Sequence, residues 1–382
     1  MSQSKHYDIV IIGGGLAGLT NAIHLSKGGL SVVLVEKNEW PHHRVCGEYV
    51  SNEVLPYLQY LGVHPQELGA TSISNMVLSS PDGRLTQSKL QLGGFGLSRF
   101  KLDHALMEEA KRAGCQIKID TAESVQFQDN AFNIQLRGGD ELTSTFVIGA
   151  HGKRSKIDKA LHRSFVDARS PFIGIKYHMS GDFPTDVVGL HTFPGGYCGV
   201  SKVENDLINV CYLTNYDVFK TYKNIDDFEE AALFKNKHLK ELLSSFTSAF
   251  DQPLTIAQIS FSKKPLIENH ILMSGDSAGM IHPLCGNGMG MAIHSAFLLS
   301  NTILSHYKGQ LTSLAAVEKS YRQKWNSAFQ HRLRVGHMLN RVVQNERLLT
   351  SGIYLAKLFP GLLRKIIKQT HGQPIDISTV VK

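Results

Sequence analysis

Cysteine is sparse in this chain: five in 382 residues, at positions 46, 115, 198, 211 and 285. No two are spaced Cys-x-x-Cys, which argues against a zinc ribbon or a redox pair, and so few in so long a chain exclude a disulfide scaffold. An odd, unpatterned set fits a reducing compartment. Tryptophan is scarcer still, with Trp40 and Trp325 alone. Charged residues make up only 19% against 42% hydrophobic, which excludes a disordered chain. The net charge of +7 is spread over 40 basic and 33 acidic residues. No basic run would track a phosphate backbone, so nucleic acid is not an expected partner. A mildly basic surface suits an anionic cofactor or an anionic membrane. No metal-ligand pattern, internal repeat or long linker is present. The most apolar early stretch, Ile9 to Leu25, carries Asn21, His24 and several glycines. It falls short of the roughly 20 apolar residues of a membrane span. The polar start MSQSKHYD lacks a signal-peptide core, and a cytoplasmic location is expected.

The first forty residues carry the most specific pattern. Asp8-Ile-Val-Ile-Ile12 reads as a buried strand and runs into Gly13-Gly14-Gly15-Leu16-Ala17-Gly18. Leu19, Ala22, Ile23 and Leu25 follow at helical spacing, Gly28-Gly29 ends the helix, and Ser31 to Val35 forms a second strand ending at Glu36. This is the strand, G-x-G-x-x-G turn, helix, strand and acid of a dinucleotide-binding βαβ unit. The helix start offers free N–H groups to a pyrophosphate. Glu36 can accept the ribose hydroxyls of an adenosine and disfavours a 2′-phosphate, leaving FAD or NAD.

A second anchor lies some 250 residues on. The apolar strand Ile271-Leu-Met-Ser274 leads to Gly275-Asp276-Ser277-Ala278-Gly279, then Pro283, then Gly286-Asn287-Gly288-Met289-Gly290 and a helix to about Leu304. An Asp at a strand end can bind a polyol. A glycine-rich helix start lets backbone approach a planar ring and stabilises negative charge on it. A nicotinamide site has no use for this anchor, so FAD is the expected cofactor.

Together the two motifs resemble those of the class A flavoprotein monooxygenase and geranylgeranyl reductase superfamily, over residues of about 5 to 310. Arg44-Val-Cys46-Gly47-Glu48 resembles the Cys-Gly segment near the flavin of the reductases. Arg99-Phe-Lys-Leu102-Asp103 resembles a segment whose Arg contacts FAD, and Phe193-Pro194-Gly195-Gly196-Tyr197 a substrate-sheet motif. The resemblance implies an α/β fold: a Rossmann-type FAD-binding domain of the p-hydroxybenzoate hydroxylase kind, an interleaved antiparallel-sheet substrate domain, and a C-terminal helical segment. It implies cofactor contacts at Gly13, Gly15, Leu16, Ala17, Gly18, Glu36, Lys37, Arg44, Arg99, Gly275, Asp276, Pro283, Gly286, Gly288 and Met289. Two departures stand out. His151 replaces the Asp of an Asp-Gly pair tied to FAD and NAD(P)H binding in the monooxygenases. Gly189 and His191 stand where the reductases often have two aromatics. The Trp-x-Trp motif of flavin-dependent halogenases is absent.

The rest of the pattern sets the domain order. Residues 37–75 read as loop and helix, 76–98 as strands around Pro81-Asp82-Gly83, and Asp103 to Ala113 as an amphipathic helix. Residues 115–149 read as strands with a hairpin at Asp129-Asn130, 172–215 as an antiparallel sheet, and 226–250 as helix. The expected FAD-binding domain takes 1–75, 101–167 and 263–315; the substrate domain takes 76–100 and 168–262; helices take 316–382. In that tail, apolar residues from Ile353 to Ile367 recur at helical spacing beside Lys357, Arg364, Lys365 and Lys368, around a Pro360-Gly361 break. It reads either as a cap on the FAD domain or as a membrane-surface helix or lid.

The flavin performs the redox step, and the protein binds and tunes it. Cys46, His191, Tyr197 and Tyr212 are the substrate-side candidates; each also reads as an ordinary packed residue. His282 and His294 are given structural roles. The expected activity is FAD-dependent monooxygenation, hydroxylating or epoxidising an apolar or aromatic small molecule. The alternative is geranylgeranyl reductase-like reduction of C=C bonds in an isoprenoid or other lipid. A non-catalytic lipid carrier is disfavoured by the intact ring anchor. The reductant is left open between NAD(P)H and an electron-donor protein, and peripheral membrane contact through the C-terminal helices is a further expectation.

Overall fold

A computed structural model describes residues 5–166, 171–259, 261–343 and 345–379. It has two sheets and a C-terminal set of helices. In the first sheet the strand order runs Ile267–Glu268, Ile271–Met273, Glu141–Gly149, Lys5–Ile12, Val32–Glu36, Gln116–Ile119. All of these pairings are parallel except the first, which is antiparallel, and the hairpin Ala122–Gln128/Ala131–Leu136 adds to one side. Ile9, Val10 and Ile11 are fully buried, as a parallel strand covered on both faces requires. Helices Leu16–Lys27 and Gly288–Tyr307 pack together against this sheet. Their starts lie at the carboxyl ends of the strands, where such sheets bind ligands.

The turn between the first strand and helix fits its glycines. Gly13 has φ of 108°, and its N–H donates to Val35 O at 2.8 Å. A Cβ on Gly18 would stand 1.9 Å from Gly13 O, so only glycine lets the helix lie this close.

The second sheet has nine strands, ordered Thr247–Ser248, Phe172–Ser180, Ile208–Asn215, Gly196–Lys202, Val187–Phe193, Thr71–Ser79, Leu85–Gly96, Tyr49–Ser51, with Leu254–Ile259 also pairing to Phe172–Ser180. It is antiparallel except where Val187–Phe193 runs parallel to Thr71–Ser79. It also takes Tyr49–Ser51 and the start of Thr71–Ser79, residues that the sequence reading gave to the first unit. The helix expected at Asp103 begins earlier, at Arg99, because the Ser98 hydroxyl caps it by accepting from Lys101 N at 3.1 Å. The helical stretch expected over 226–250 splits into Ile225–Ala231 and Lys237–Ser245. Asn236 caps the second piece, and Thr247–Ser248 is strand.

The tail forms three helices, Leu314–Val343, Glu346–Leu358 and Pro360–Thr370. Ala356 and Leu363 pack on Ile73, Met76 and Leu90 of the second sheet. Glu53, fully buried, ties the tail to the rest: Arg332 Nη1 donates to it at 3.1 Å, Asn287 Nδ2 at 3.3 Å, and Gly372 N also donates to it.

Candidate active site

One cavity of about 1310 Å³ runs from the glycine-rich turn, past residues 42–49, across the second sheet and under the C-terminal helices. At its nucleotide end, Glu36 Oε2 accepts from Gly14 N at 2.6 Å and Oε1 from Asn38 N at 3.1 Å. Arg99 lies beside the turn, its Nη2 3.6 Å from where a Cβ on Gly15 would stand. Its guanidinium grips Asp103 through two bonds of 2.6 and 2.7 Å. Arg44 Nε donates to the same carboxylate at 3.1 Å. Arg44 Nη2 is buried with no hydrogen-bond partner and stands 4.0 Å from Glu36 Oε2. Two guanidiniums on one buried carboxylate leave positive charge and an unused donor beside the turn, which suits a pyrophosphate.

At the other end, Asp276, Pro283, Gly286, Gly288 and Met289 line the cavity. A Cβ on Gly288 or on Gly47 would meet nothing within 4 Å. Open space therefore faces the first turn of a 20-residue helix, and Cys46 Sγ closes one side, 3.4 Å from Met289 Sδ. The residues present fit FAD: an orphaned arginine donor at the turn and an open glycine cradle at the helix start. Lys37, Leu16 and Ala17 also line the cavity. Gly18 and Gly275 do not. Gly18 packs against Gly13, and a Cβ on Gly275 would crowd Ala17 at 2.8 Å, so both shape the lining from behind.

His151, at the position of the missing Asp, has a structural use. Its Nε2 lies 2.9 Å from Asp158 Oδ1, which also accepts from Arg163 Nη1 at 2.7 Å. Arg163 Nη2 in turn reaches Pro265 O and Ser277 O at 2.6 and 3.0 Å. Burial raises the Asp158 carboxyl, but the bonds and charges of His151 and Arg163 outweigh it and hold it far below the usual range. This buried cluster joins the 151–158 segment to the second motif.

Glu48 is a second keystone, one that no local pattern singles out. Its backbone is left-handed, at φ of 53°. Its buried carboxylate accepts from Arg99 N at 2.8 Å, from His178 Nε2 at 2.7 Å, and from Lys176 Nζ. Burial raises this carboxyl, and Lys176 and His178 outweigh that, lowering it below its usual value. The Cys46-Gly47-Glu48 segment is thus bolted to both the helix Arg99–Arg112 and the second sheet.

The substrate-side candidates separate. Cys46 and Tyr197 line the cavity. Tyr197 packs with Phe172, Leu213 and Met280; burial raises its phenol well above the usual value, so it stays protonated. His191 is a correction. Leu190 and Thr192 line the cavity, and strand alternation turns His191 to the other side. There its Nδ1 lies 2.8 Å from Ser79 Oγ, and burial lowers its pKa to about 4. Tyr212 borders the cavity, but its ring packs among Phe193 and Phe228 and its hydroxyl donates to Glu229 at 2.7 Å, so it too has a structural role. His282 and His294 are buried, with pKa values lowered by burial to about 4 and about 3, as structural roles require.

A curated relative 25% identical over 85% of this chain and 68% of its own length is Conditioned medium factor receptor 1 of Dictyostelium discoideum. Digeranylgeranylglycerophospholipid reductase 1 of Methanothermobacter thermautotrophicus is 26% identical over 74% of this chain and 73% of its own. The solved structure of the flavin-dependent brominase Bmp2 superposes with a TM-score of 0.81, covering 99% of this chain and 97% of its own, at 18% identity. At that identity the likeness is one of fold alone. The family described as FAD binding domain matches residues 6–324. With its site shaped for FAD and most of its length matched, the chain belongs to the FAD binding domain family and is an FAD-dependent oxidoreductase.

Proposed function

We propose that this oxidoreductase reduces isolated C=C bonds of a long isoprenoid lipid, the second of the two activities read from the sequence. The observation that carries this is the wall of the cavity beyond the ring end. It consists of aliphatic side chains such as Met76, Leu78, Leu90, Val188, Leu190 and Ile256, and continues to Ile353, Leu363 and Ile367 of the terminal helices. Glu53, Glu229 and His191 do not line the cavity; Glu48 lines it with its carboxylate held by Lys176 and His178, and His151 lines it with its Nε2 bonded to Asp158. The relative among the lipid reductases supports the same substrate class.

When bound and reduced, FAD would supply a hydride to one carbon of the double bond and be left oxidised. The other carbon takes a proton, so each bond gains one hydride and one proton. Cys46, against Met289, and Tyr197 both line the cavity and would give that proton, the buried phenol being the weaker acid. Arg44 and Arg99 would hold the pyrophosphate, Glu36 the adenosine ribose, and Asp276 the polyol. An external two-electron donor, NAD(P)H or a reduced electron-carrier protein, restores the electrons. The domain division given above is part of this proposal, with Tyr49–Ser51 and Thr71–Ser79 reassigned to the substrate sheet.

The test is anaerobic incubation of the reduced protein with a polyunsaturated isoprenoid glycerolipid, read by mass spectrometry. Products heavier by two hydrogens per bond support the proposal. Products that form only in air and carry one added oxygen would establish the monooxygenase instead.

A further inference from the structure

Among the described residues, the outer face of the terminal helices is largely exposed, with Arg84 over the ring of Tyr354. Of twelve exposed large apolar side chains among the described residues, six fall between positions 348 and 362: Leu348, Tyr354, Leu355, Leu358, Phe359 and Leu362. Phe359 is 62% exposed, Leu348 54% and Leu358 52%. The same helices bury Leu349, Ile353, Ala356 and Leu363 on their other face, so their inner side is already satisfied. A concentrated apolar patch of this kind marks an interaction surface.

Two observations say what covers it. First, the patch is the mouth of the cavity: Leu348, Leu355 and Leu362 are exposed and also line it. Whatever covers the patch therefore faces the path into the apolar chamber. Secondly, after Glu346 at the start of the first helix no Asp or Glu occurs up to residue 375, while Lys357, Arg364, Lys365 and Lys368 are all exposed around the apolar stripe. An apolar stripe flanked mainly by cations matches an anionic bilayer, where acyl chains take the stripe and headgroups the amines. Helices of 13 and 11 residues span about 20 and 17 Å at 1.5 Å per residue, short of a bilayer core of roughly 30 Å. No helix among the described residues is long and apolar enough to cross a membrane.

We propose that helices Glu346–Leu358 and Pro360–Thr370 lie in the surface of an anionic lipid bilayer, and that the lipid substrate enters the cavity sideways from it between Leu348, Leu355 and Leu362. The entry route rests on the lipid-reductase reading above; the docking is measured without catalysis, so the two fail separately.

The experiment is flotation of the FAD-loaded protein with vesicles of phosphatidylcholine alone or with about 30 mol% phosphatidylglycerol. The protein is expected to float with the anionic vesicles, at least about tenfold more weakly with the neutral ones, and less in high salt. L358E/F359E, with bound flavin retained, is expected to lose at least about tenfold in partitioning. A gentler variant, F359W, is expected to show a blue-shifted increment in tryptophan emission on adding anionic vesicles. The proposal is overturned if wild-type protein stays unbound to both vesicle types, or if L358E/F359E floats like wild type. It is equally overturned if sedimentation shows a dimer that L358E/F359E splits while vesicle binding is unchanged, since the patch would then belong to a second copy.

Discussion

Cys46 Sγ lies 3.4 Å from Met289 Sδ, joining two segments 243 residues apart at the ring end of the cavity. Cys46 sits on the segment fixed by Glu48, and Met289 in the first turn of the helix that opens the second motif. The contact closes the site between the two sheets.

From this contact follows a split between binding and turnover. Cys46→Ser keeps the packing and changes the proton donor. It is expected to retain FAD within about threefold of wild type and to lower alkene reduction at least about tenfold, within the usual range of a lost acid–base group. Flavin titration and product mass spectrometry check both halves. Equal turnover in the variant would reduce Cys46 to a packing residue and leave Tyr197 as the donor.

Asp103 is expected to matter for FAD although it does not face the cavity. It fixes Arg44 and Arg99 together, and Asp103→Asn removes the charge that holds both guanidiniums. Loss of a charge-assisted bond of about 1.5–3 kcal/mol corresponds to roughly a 10- to 150-fold weaker Kd for FAD. Fluorescence titration of apoprotein measures it.

Glu48→Gln leaves Lys176 buried without a counter-charge. A stability loss of about 3–5 kcal/mol is expected in denaturant unfolding, with much of it restored by adding Lys176→Met. A loss below about 1 kcal/mol would show that the cluster is not the keystone of the 46–48 segment.

Acid sensitivity follows from the buried histidines. Burial lowers His24, His191 and His282 to about 4 and His294 to about 3. The unfolded chain titrates near 6.5, so it binds more protons than the native state between about 4 and 6.5. The stability associated with their neutral form is full above pH 6.5 and is lost progressively as pH falls from there to their native values, on the order of 3 kcal/mol for each. Thermal unfolding of the holoprotein is expected to drop steeply from pH 6.5 to 4.5. A flat Tm over that window would contradict burial of these rings in neutral form.

Local pattern made the nucleotide half legible. The strand, glycine turn, helix and Glu36 lie within one short stretch, and every physical requirement there is local. The same holds for Gly288–Tyr307 and for the Pro360 break in the tail. The second sheet was harder, because strand phase is set by distant partners. His191 turns away from the cavity where Ser79, bonded to Asn236, receives it, and neither neighbour is near in sequence. The parallel pairing of Val187–Phe193 with Thr71–Ser79 likewise joins segments over a hundred residues apart. The positioning carboxylates escaped notice for the same reason. Glu48, Glu53 and Asp158 read as ordinary acids until Lys176, Arg332 and His151 are seen against them. Asp103 alone left a signal, four residues after Arg99 on one helix face.

The apolar cavity at the FAD site is proposed to serve alkene reduction. The most direct measurement is the mass of the product formed from a polyunsaturated isoprenoid lipid by reduced protein, with oxygen excluded and then admitted. The account expects gains of two hydrogens per double bond without oxygen, and no oxygen-containing product in air. Products carrying one oxygen atom, formed only in air, would contradict it.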